Sequence, residues 1–314
     1  MSRIPRAWAK SVIGGCVRAL PPLQRRLTRG LTVFLFHDVT DEPSGFARDY
    51  DLAVSLETFR RQTAWITDHY QVVHPESLAS GRKLPENAAV ITFDDGFRGA
   101  FENGLPILEE RNLPSIVFLN MRSIVEQRPL IAALVAHLER FVPAFVSFAR
   151  EAGACAPFHL SLTPATLARF EERFGLPDLS GVIRYQGPLA DPATIAGWSS
   201  SKLVAFGSHL FDHWNAPALT EAEFVEQYDR NQSVLASYSN QLPMLAFPNG
   251  RFTAVHLQLL RERGAAKAFS SSGGVPRDPG AFLLDRCSLY QSDSDDTKLW
   301  FRALRAASIT AWSA

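Results

Sequence analysis

Cysteine, net charge and long apolar runs are all scarce in this sequence. Only three of its 314 residues are cysteine, and Cys16, Cys155 and Cys287 are too widely spaced and odd in number for a disulfide framework or a zinc ribbon. This usage is typical of a protein from a reducing compartment. Basic and acidic residues balance at 32 each, so the basic excess of a dedicated nucleic-acid binder is missing, and we expect no nucleic-acid partner. No apolar run approaches the roughly 20 residues of a transmembrane helix.

The remaining composition is typical of a globular protein. Hydrophobic residues make up 46% of the chain and charged residues 20%, which excludes disorder for the bulk of the sequence. The length allows one large domain or two small ones.

Basic charge is concentrated in residues 1–30, which hold seven basic residues and no acidic one. Only seven uncharged residues, two of them glycine, separate Lys10 from Arg18. This is too weak for the apolar region of a secretory signal, and we expect a cytoplasmic protein. An apolar residue at every fourth position predicts an amphipathic helix that ends at Pro21: Ile4, Trp8, Val12, Cys16 and Leu20. This basic N-terminal extension either contacts the inner membrane peripherally, packs on the domain or is mobile.

From residue 31 onward, short β-rich runs alternate with helical ones, which predicts parallel βα units. A closed or nearly closed barrel in residues 31–314 is favoured, and an open doubly wound sheet is the alternative. The alternation stops between about 122 and 198, where helical periodicity with a break at Pro143 predicts an inserted helical subdomain. The predicted strands are 31–36, 71–73, 88–93, 115–119, 203–206, 243–247, 266–270 and 283–289, and the main predicted helices are 56–69, 97–111, 130–152, 163–174, 221–238, 253–263 and 297–307.

Two adjacent carboxylates follow the strand at 88–93. Asp94 and Asp95 stand directly before Gly96, and buried carboxylates in this position are costly unless they are paired or bind a metal. The alternative is that Asp95 caps the helix that starts near Phe97.

Two histidines four residues apart follow the strand at 203–206. One helical turn would place His209 and His213 on the same face, close enough to share a metal, with Asp212 pointing elsewhere. Two ordinary surface histidines are the alternative interpretation.

A turn follows the strand at 243–247, in the order Pro248, Asn249, Gly250. By itself it is only a turn, but at the end of a strand it can aim backbone N–H groups into a cleft. The three strand ends together fit metal-assisted hydrolysis of an amide or ester: one Asp and two His form a facial metal triad with open positions, and Asp94 is placed to act as general base.

These motifs resemble the polysaccharide deacetylases of the NodB-homology family, which are metal-dependent carbohydrate esterases. The family's TFDDG motif is present in full at 92–96, and its H-[ST]-x-x-H motif is matched at 209–213 by both histidines. The resemblance covers about residues 31–121 and 198–290. It implies a distorted (β/α)7 barrel of α/β class, with Asp94 as catalytic base and Asp95, His209 and His213 as metal ligands.

The sequence departs from the family pattern in its supporting residues. Leu210 replaces the hydroxyl residue of the second motif, and of the third motif, R-x-P-Y, only Pro248 is kept. Arg286 is a candidate to hold Asp94 in place of the missing arginine, and Asn249, Pro248 and Arg286 are the predicted oxyanion or substrate-binding residues.

The late histidine that acts as general acid in many members is also missing. His256 is interpreted as a helix-surface residue, and His37, which follows Phe36 where the family often has Tyr-His, is the candidate cleft residue and acid. The other histidines are predicted to be structural or exposed: His69, His74, His137 and His159.

The leading hypothesis is a hydrolase that removes the N-acetyl group from an amino sugar in a glycan during cell-surface polysaccharide biosynthesis. The glycan could be lipid-linked, which the basic N-terminal extension would favour. Asp and His ligands favour Zn²⁺, although other first-row metals can occupy the same triad. The alternatives are a deformylase acting on a formamido sugar, a catalytically inactive carbohydrate-binding homologue, and a glycosidase that uses Asp94 and Asp95 as its acid and base.

Overall fold

Parallel strands form the centre of the protein in a computed structural model that describes residues 6–175, 178–276 and 278–312. The strands are β1 (Gly30–Phe36), β2 (Asp38–Val39), β3 (Ala53–Val54), β4 (Gln71–Val72), β5 (Asn87–Phe93), β6 (Ser115–Leu119), β7 (Val204–Ser208), β8 (Gln241–Ala246), β9 (Lys267–Phe269), β10 (Leu283–Leu284) and β11 (Cys287–Ser288). The helices are α1 (Arg6–Arg18), α2 (Pro21–Leu27), α3 (Gly45–Asp49), α4 (Leu56–His69), α5 (Leu105–Glu110), α6 (Met121–Val125), α7 (Ile131–Phe141), α8 (Pro143–Glu151), α9 (Pro164–Phe174), α10 (Leu179–Gln186), α11 (Pro192–Trp198), α12 (Glu221–Leu235), α13 (Ala254–Glu262) and α14 (Asp296–Trp312).

The main sheet runs in the order β10-β9-β8-β7-β6-β5-β1-β11, with every pair parallel and β4 added beside the first half of β5. Its two ends belong to one short segment, because β10 pairs with β9 and β11 pairs with β1. This segment closes the sheet into a (β/α)7 barrel, as the resemblance implies. The small β2–β3 pair lies outside the main sheet.

The single strand predicted at 283–289 is wrong. Its two halves pair with different neighbours, and Asp285 and Arg286 lie between them without ladder partners on either side. The interruption directs the Arg286 side chain into the protein, where it is fully buried.

Apolar side chains from the strands fill the interior of the barrel. Because helices or loops cover the outer faces, strands such as β5 and β6 are buried on both sides, which explains their continuous apolar sequences. One central cluster includes Val33, Val90, Phe118, Met244 and Phe269, each 0% exposed.

The helices α6 to α11 lie between β6 and β7, in the stretch predicted as an insertion. The axes of α7 and α8 bend by 109° at their junction, where the sequence places Pro143. Both helices bury apolar side chains in one cluster that includes Leu138, Phe145, Phe158 and Phe170. Across the described ranges no single helix is long and apolar enough to cross a membrane, and α7 and α8 pass that test only as a bent pair.

Helix α1 packs against α14 through a face that the apolar stripe did not predict. A Cβ atom on Gly14 would lie 1.7 Å from the Thr297 carbonyl oxygen, so the two helices can approach this closely only at a glycine. Val17 is 2% exposed, whereas Val12, Cys16 and Leu20 of the predicted stripe face solvent. Ile4 and the side chain of Trp8 lie outside the described part of the chain.

Candidate metal and substrate site

The carboxyl ends of the barrel strands meet at one rim, and the predicted site residues follow those ends. Phe36 of β1 pairs with Phe93 of β5, so His37 and Asp94, which directly follow these adjacent strands, lie side by side. The Asp94 backbone N–H donates to the Phe36 carbonyl at 3.1 Å. Residues that are distant in the chain therefore share one rim, as parallel topology requires.

The carboxylate of Asp95 faces two histidines. Its Oδ1 atom lies 3.3 Å from His209 Nε2 and 3.1 Å from His213 Nε2. Asp95 has a φ of 70°, which turns its side chain into this cluster, and the interpretation of Asp95 as a helix cap is wrong. Burial alone would raise the pKa of Asp95, but His213 and His209 outweigh it and hold this pKa well below its usual range.

His209 is oriented by a backbone partner. Its Nδ1–H donates to the Ala246 carbonyl at 2.7 Å, which assigns the tautomer that leaves the Nε2 lone pair facing Asp95. Holding the far nitrogen in this way is how proteins commonly fix a metal-binding histidine.

The segment from His209 to His213 is a loop, and the predicted helical turn is wrong. Leu210 and His213 both have a φ of 60°, so the chain leaves the helical region twice while the two imidazole centroids stay 4.9 Å apart. Leu210 is fully buried in an apolar cluster. It thereby packs the loop against the core at the position where the family has a hydroxyl.

Asn120 supports this loop from the next strand. Its amide Nδ2 donates to the His209 carbonyl and, at 3.0 Å, to the Leu210 carbonyl. Asn231 continues the network, because its Nδ2 donates to the Ser208 hydroxyl and the Leu119 carbonyl, each at 2.8 Å. Asn120 was missed in the sequence, although it follows β6 directly and the search along strand ends could have found it.

Asp212 points away from the histidines, as predicted. Both of its carboxylate oxygens accept from Arg122 Nη1, at 2.9 and 2.8 Å. The Asp212 backbone N–H donates to Gln227 Oε1 at 2.8 Å, and Gln227 Nε2 donates to Asp212 Oδ2 at 3.3 Å.

Asp94 forms a bidentate ion pair with Arg286. The two guanidinium Nη atoms each lie 2.7 Å from a different oxygen of Asp94, and Arg286 Nε donates to the Ser270 carbonyl at 2.9 Å. Burial alone would raise the pKa of Asp94, but Arg286 and His209 lower it below its usual range. Arg286 is 0% exposed and lies behind Asp94, so it is placed to orient Asp94 and not to touch a substrate.

A cavity of about 200 Å³ opens onto these carboxylates and histidines. His37 lines it, and burial lowers the pKa of His37 although Asp95 and Asp94 partly offset that effect. Asn249, with a φ of 57°, also lines the cavity, and its buried Nδ2 has no partner among the described residues. Pro248, the first residue of this turn, is buried and does not line the cavity.

His159 also lines this cavity, which corrects its prediction as a structural or exposed residue. Burial, His213 and Arg251 lower the pKa of His159 to about 4. No motif marks His159, because its position depends on how the insertion folds back over the barrel rim.

The interpretation of His256 as a helix-surface residue is also wrong. His256 is buried, and its Nδ1 accepts from the Thr253 backbone N–H at 2.9 Å, at the start of α13.

The donor set at the rim fits a divalent metal. The ligand atoms of Asp95, His209 and His213 all lie within 4.8 Å of one another, and all three residues are buried. Asp95 Oδ1 has no well-aligned hydrogen bond from any residue that the structure describes, although a buried carboxylate oxygen normally has one. A cation bound by these three residues would satisfy that oxygen and leave coordination positions open.

Comparison with known proteins gives one family and one fold. The polysaccharide deacetylase family model matches residues 81–268, more than half of the chain. The poly-beta-1,6-N-acetyl-D-glucosamine N-deacetylase of Escherichia coli (strain K12) is 33% identical over 92 residues, which cover 28% of this chain and only 13% of that relative.

Solved structures agree on the fold. IcaB from Ammonifex degensii is similar with a TM-score of 0.59 at 18% identity, covering 87% of this chain and 97% of that one. A de-N-acetylase from Aggregatibacter actinomycetemcomitans is similar with a TM-score of 0.56 at 17% identity, covering 86% and 99%.

Proposed function

Because this chain belongs to the polysaccharide deacetylase family, we propose that it is a metal-dependent hydrolase that removes the N-acetyl group from an amino sugar in a glycan. One observation carries this proposal. The three buried candidate metal ligands and a separate carboxylate, Asp94, line the same cavity. The substrates named for the relatives favour a polymer of N-acetylglucosamine.

Asp95, His209 and His213 are the residues that would hold the cation, and this donor set favours Zn²⁺. When bound, a divalent cation lowers the pKa of water by several units and polarises an acyl oxygen.

Asp94 is the proposed general base. Its lowered pKa keeps it ionised at neutral pH, and Arg286 fixes both of its oxygens, so it can accept the proton of the water that attacks the amide carbon. The Asn249 amide, whose Nδ2 has no partner among the described residues, is the proposed donor to the oxygen that becomes negative. As the C–N bond breaks, the leaving nitrogen takes up the proton that Asp94 accepted from water. We assign the relay of this proton to His37 on the same cavity wall, which is neutral because burial lowers its pKa.

The environments of the two aspartates argue against a glycosidase. That reaction requires one protonated carboxyl group, yet the pKa values of Asp94 and Asp95 both lie below their usual range. A carbohydrate-binding homologue without catalysis has no need of a base held beside a metal triad.

The test combines metal content with acyl release on one purified sample. Oligomers of β-1,6-linked N-acetylglucosamine and a UDP-N-acetylhexosamine are incubated with and without chelator, and acetate and formate are measured on matched N-acetyl and N-formyl substrates. We expect the wild type to contain about one metal per chain and to release acetate in a chelator-sensitive reaction. Asp94→Asn should release no acetate. Formate without acetate would favour the deformylase, and metal-independent or absent release with intact sugar binding would favour the binding homologue.

We also propose that the N-terminal extension contacts an anionic membrane surface, where a lipid-linked glycan would be presented. Two features support this. Val12 and Ile13 of α1, and Leu20 just after it, are 42%, 41% and 51% exposed, so apolar side chains remain accessible on this segment. Exposed arginines of the following segment line a shallow cleft of about 630 Å³: Arg25, Arg26 and Arg29. Apolar side chains near basic ones are typical of interfacial helices.

Point variants test this proposal without removing the packed face of α1. We expect flotation with phosphatidylglycerol vesicles but not with phosphatidylcholine vesicles, reduced in Ile13→Ser/Leu20→Ser and in Arg25→Glu/Arg26→Glu. Phe174→Ser, which changes an apolar side chain that is 46% exposed on α9, is the matched control and keeps wild-type binding. Equal flotation of all these proteins would contradict the proposal.

A further inference from the structure

Two parts of the helical insertion line the cavity of the candidate site: Ala132 of α7 and the short turn Phe158–Leu160. His159, at the centre of this turn, lines the same cavity as Asp94, Asp95 and the two histidine ligands. The insertion therefore contributes a polar side chain to the cavity that holds the residues of the barrel rim.

The turn is anchored on both sides of His159. Phe158 is 1% exposed and packs edge-to-face on Phe145, with ring centroids 5.8 Å apart. The Leu160 carbonyl accepts from Asn215 Nδ2 at 2.6 Å, and Asn215 lies two residues after the ligand His213. The imidazole of His159 is thus held by its neighbours relative to the metal loop.

Among the described residues, the His159 ring makes an aromatic contact and no hydrogen bond. It packs edge-to-face on Tyr50, with ring centroids 5.3 Å apart. Its Nδ1 is buried without a hydrogen-bond partner in the described ranges. A buried lone pair without a partner is tolerated better than a buried N–H without one, so the proton of the neutral ring belongs on Nε2.

We propose that His159 is a substrate-positioning residue whose Nε2–H donates a hydrogen bond to a hydroxyl oxygen of the bound amino sugar. This inference rests on the proposed function, because it takes the substrate of that reaction as its ligand. The low pKa of His159, about 4, supports a neutral donor at physiological pH and not a proton-delivering acid. A pre-positioned donor of this kind fixes the sugar relative to the reacting atoms.

Substituting glutamine or asparagine for His159 tests which ring nitrogen donates the hydrogen bond. Glutamine can place an N–H donor near the position of Nε2, whereas asparagine reaches only the position of Nδ1. We therefore expect His159→Gln to retain much of the wild-type behaviour, and His159→Asn to resemble His159→Ala. His137→Ala is the matched control. His137 also lies in the insertion, with a buried Nδ1 that no described residue contacts by a hydrogen bond, but it does not line this cavity.

The assay is steady-state acetate release from β-1,6-linked N-acetylglucosamine oligomers, with metal content and Tm measured on each variant. One lost hydrogen bond corresponds to roughly a tenfold effect. If the bond is equally strong in substrate and transition state, KM rises about tenfold while kcat stays within about twofold. Metal content and Tm should match those of the wild type.

Other results overturn the proposal. A fall in kcat with unchanged KM would assign His159 to the chemistry, unchanged kinetics in His159→Ala would remove it from the site, and loss of metal or a lower Tm in all three variants would make it structural. A wild type that releases no acetate would defeat the proposed function first. Calorimetric binding of the oligomer then decides separately: weaker binding by His159→Ala alone supports positioning, and absence of binding by the wild type overturns it as well.

Discussion

Replacing Arg286 with methionine tests how strongly the barrel depends on one buried ion pair. Methionine fills much of the same volume but leaves the Asp94 carboxylate, which is 2% exposed, without its two guanidinium contacts at 2.7 Å. Removing one partner of a buried pair costs about 3–5 kcal/mol, because the other charge remains buried. The Ser270 carbonyl also loses a donor, at about 1 kcal/mol. Since domains are stable by about 5–15 kcal/mol, the variant should lose a large part of its free energy of unfolding.

The pH dependence of this loss has a definite sign. Arg286 lowers the folded-state pKa of Asp94, so the pair stabilises the protein above the unfolded pKa of about 3.9 and loses its effect as the pH falls. In Arg286→Met, burial raises the pKa of Asp94, and protonation relieves the penalty. The stability difference between wild type and variant should therefore be largest near neutral pH and shrink on acidification.

Urea unfolding in the presence of chelator measures this without a contribution from bound metal. We expect Asp94→Asn/Arg286→Met to regain about 2–3 kcal/mol over Arg286→Met, because the double variant buries no unpaired charge. Arg302→Met is the matched control: it breaks another buried pair, with Asp293 at 2.9 Å, and should lower stability while acyl release persists in the folded protein. A stability loss in Arg286→Met that is independent of pH, or that the second substitution does not relieve, would refute the reasoning.

Three further outcomes follow from the site and the helix packing. Asp95→Ala should purify with a metal content near zero by elemental analysis, because it removes the only carboxylate of the triad; retained stoichiometric metal would contradict the ligand assignment. Leu210→Ser should lower the free energy of unfolding in urea by about 2–4 kcal/mol, since a fully buried leucine is lost and Asn120 already supports the loop; a stabilised variant would show that the loop still needs the family's hydroxyl. Gly14→Val should cost about 1–3 kcal/mol and make α1 sensitive to protease, because its Cβ would meet the Thr297 carbonyl; wild-type resistance would argue against the α1–α14 contact.

The barrel was predictable because its strands are buried on both faces. The apolar sequences of β5 and β6 predicted both strands within one residue of their observed bounds, and α4 was predicted with both of its ends. Parallel topology then places every strand end at one rim, so residues such as Asp94 and His209 could be grouped from their positions alone.

Local sequence patterns gave wrong predictions where contacts with residues distant in the chain determine the conformation. The segment at 283–289 has the apolar character of one strand, but its halves pair with opposite ends of the sheet. The four-residue spacing of His209 and His213 is compatible with a helix, yet their loop contains two residues with positive φ. In α1, Val12 and Cys16 of the apolar stripe are exposed and a glycine makes the close contact, because the contact depends on α14, more than 280 residues later.

Short-range sequence therefore predicted the candidate site. A carboxylate pair after one strand and a histidine pair after another bring together the proposed metal ligands and the proposed base, since each group needs only its strand end to reach the rim. The surroundings of that chemistry are set by long-range packing. The pairing of Arg286 with Asp94, the support of the histidine loop by Asn120 and the arrival of His159 from the insertion all join segments far apart in sequence. No local pattern records such contacts, because they form only when the barrel closes and the insertion folds over its rim.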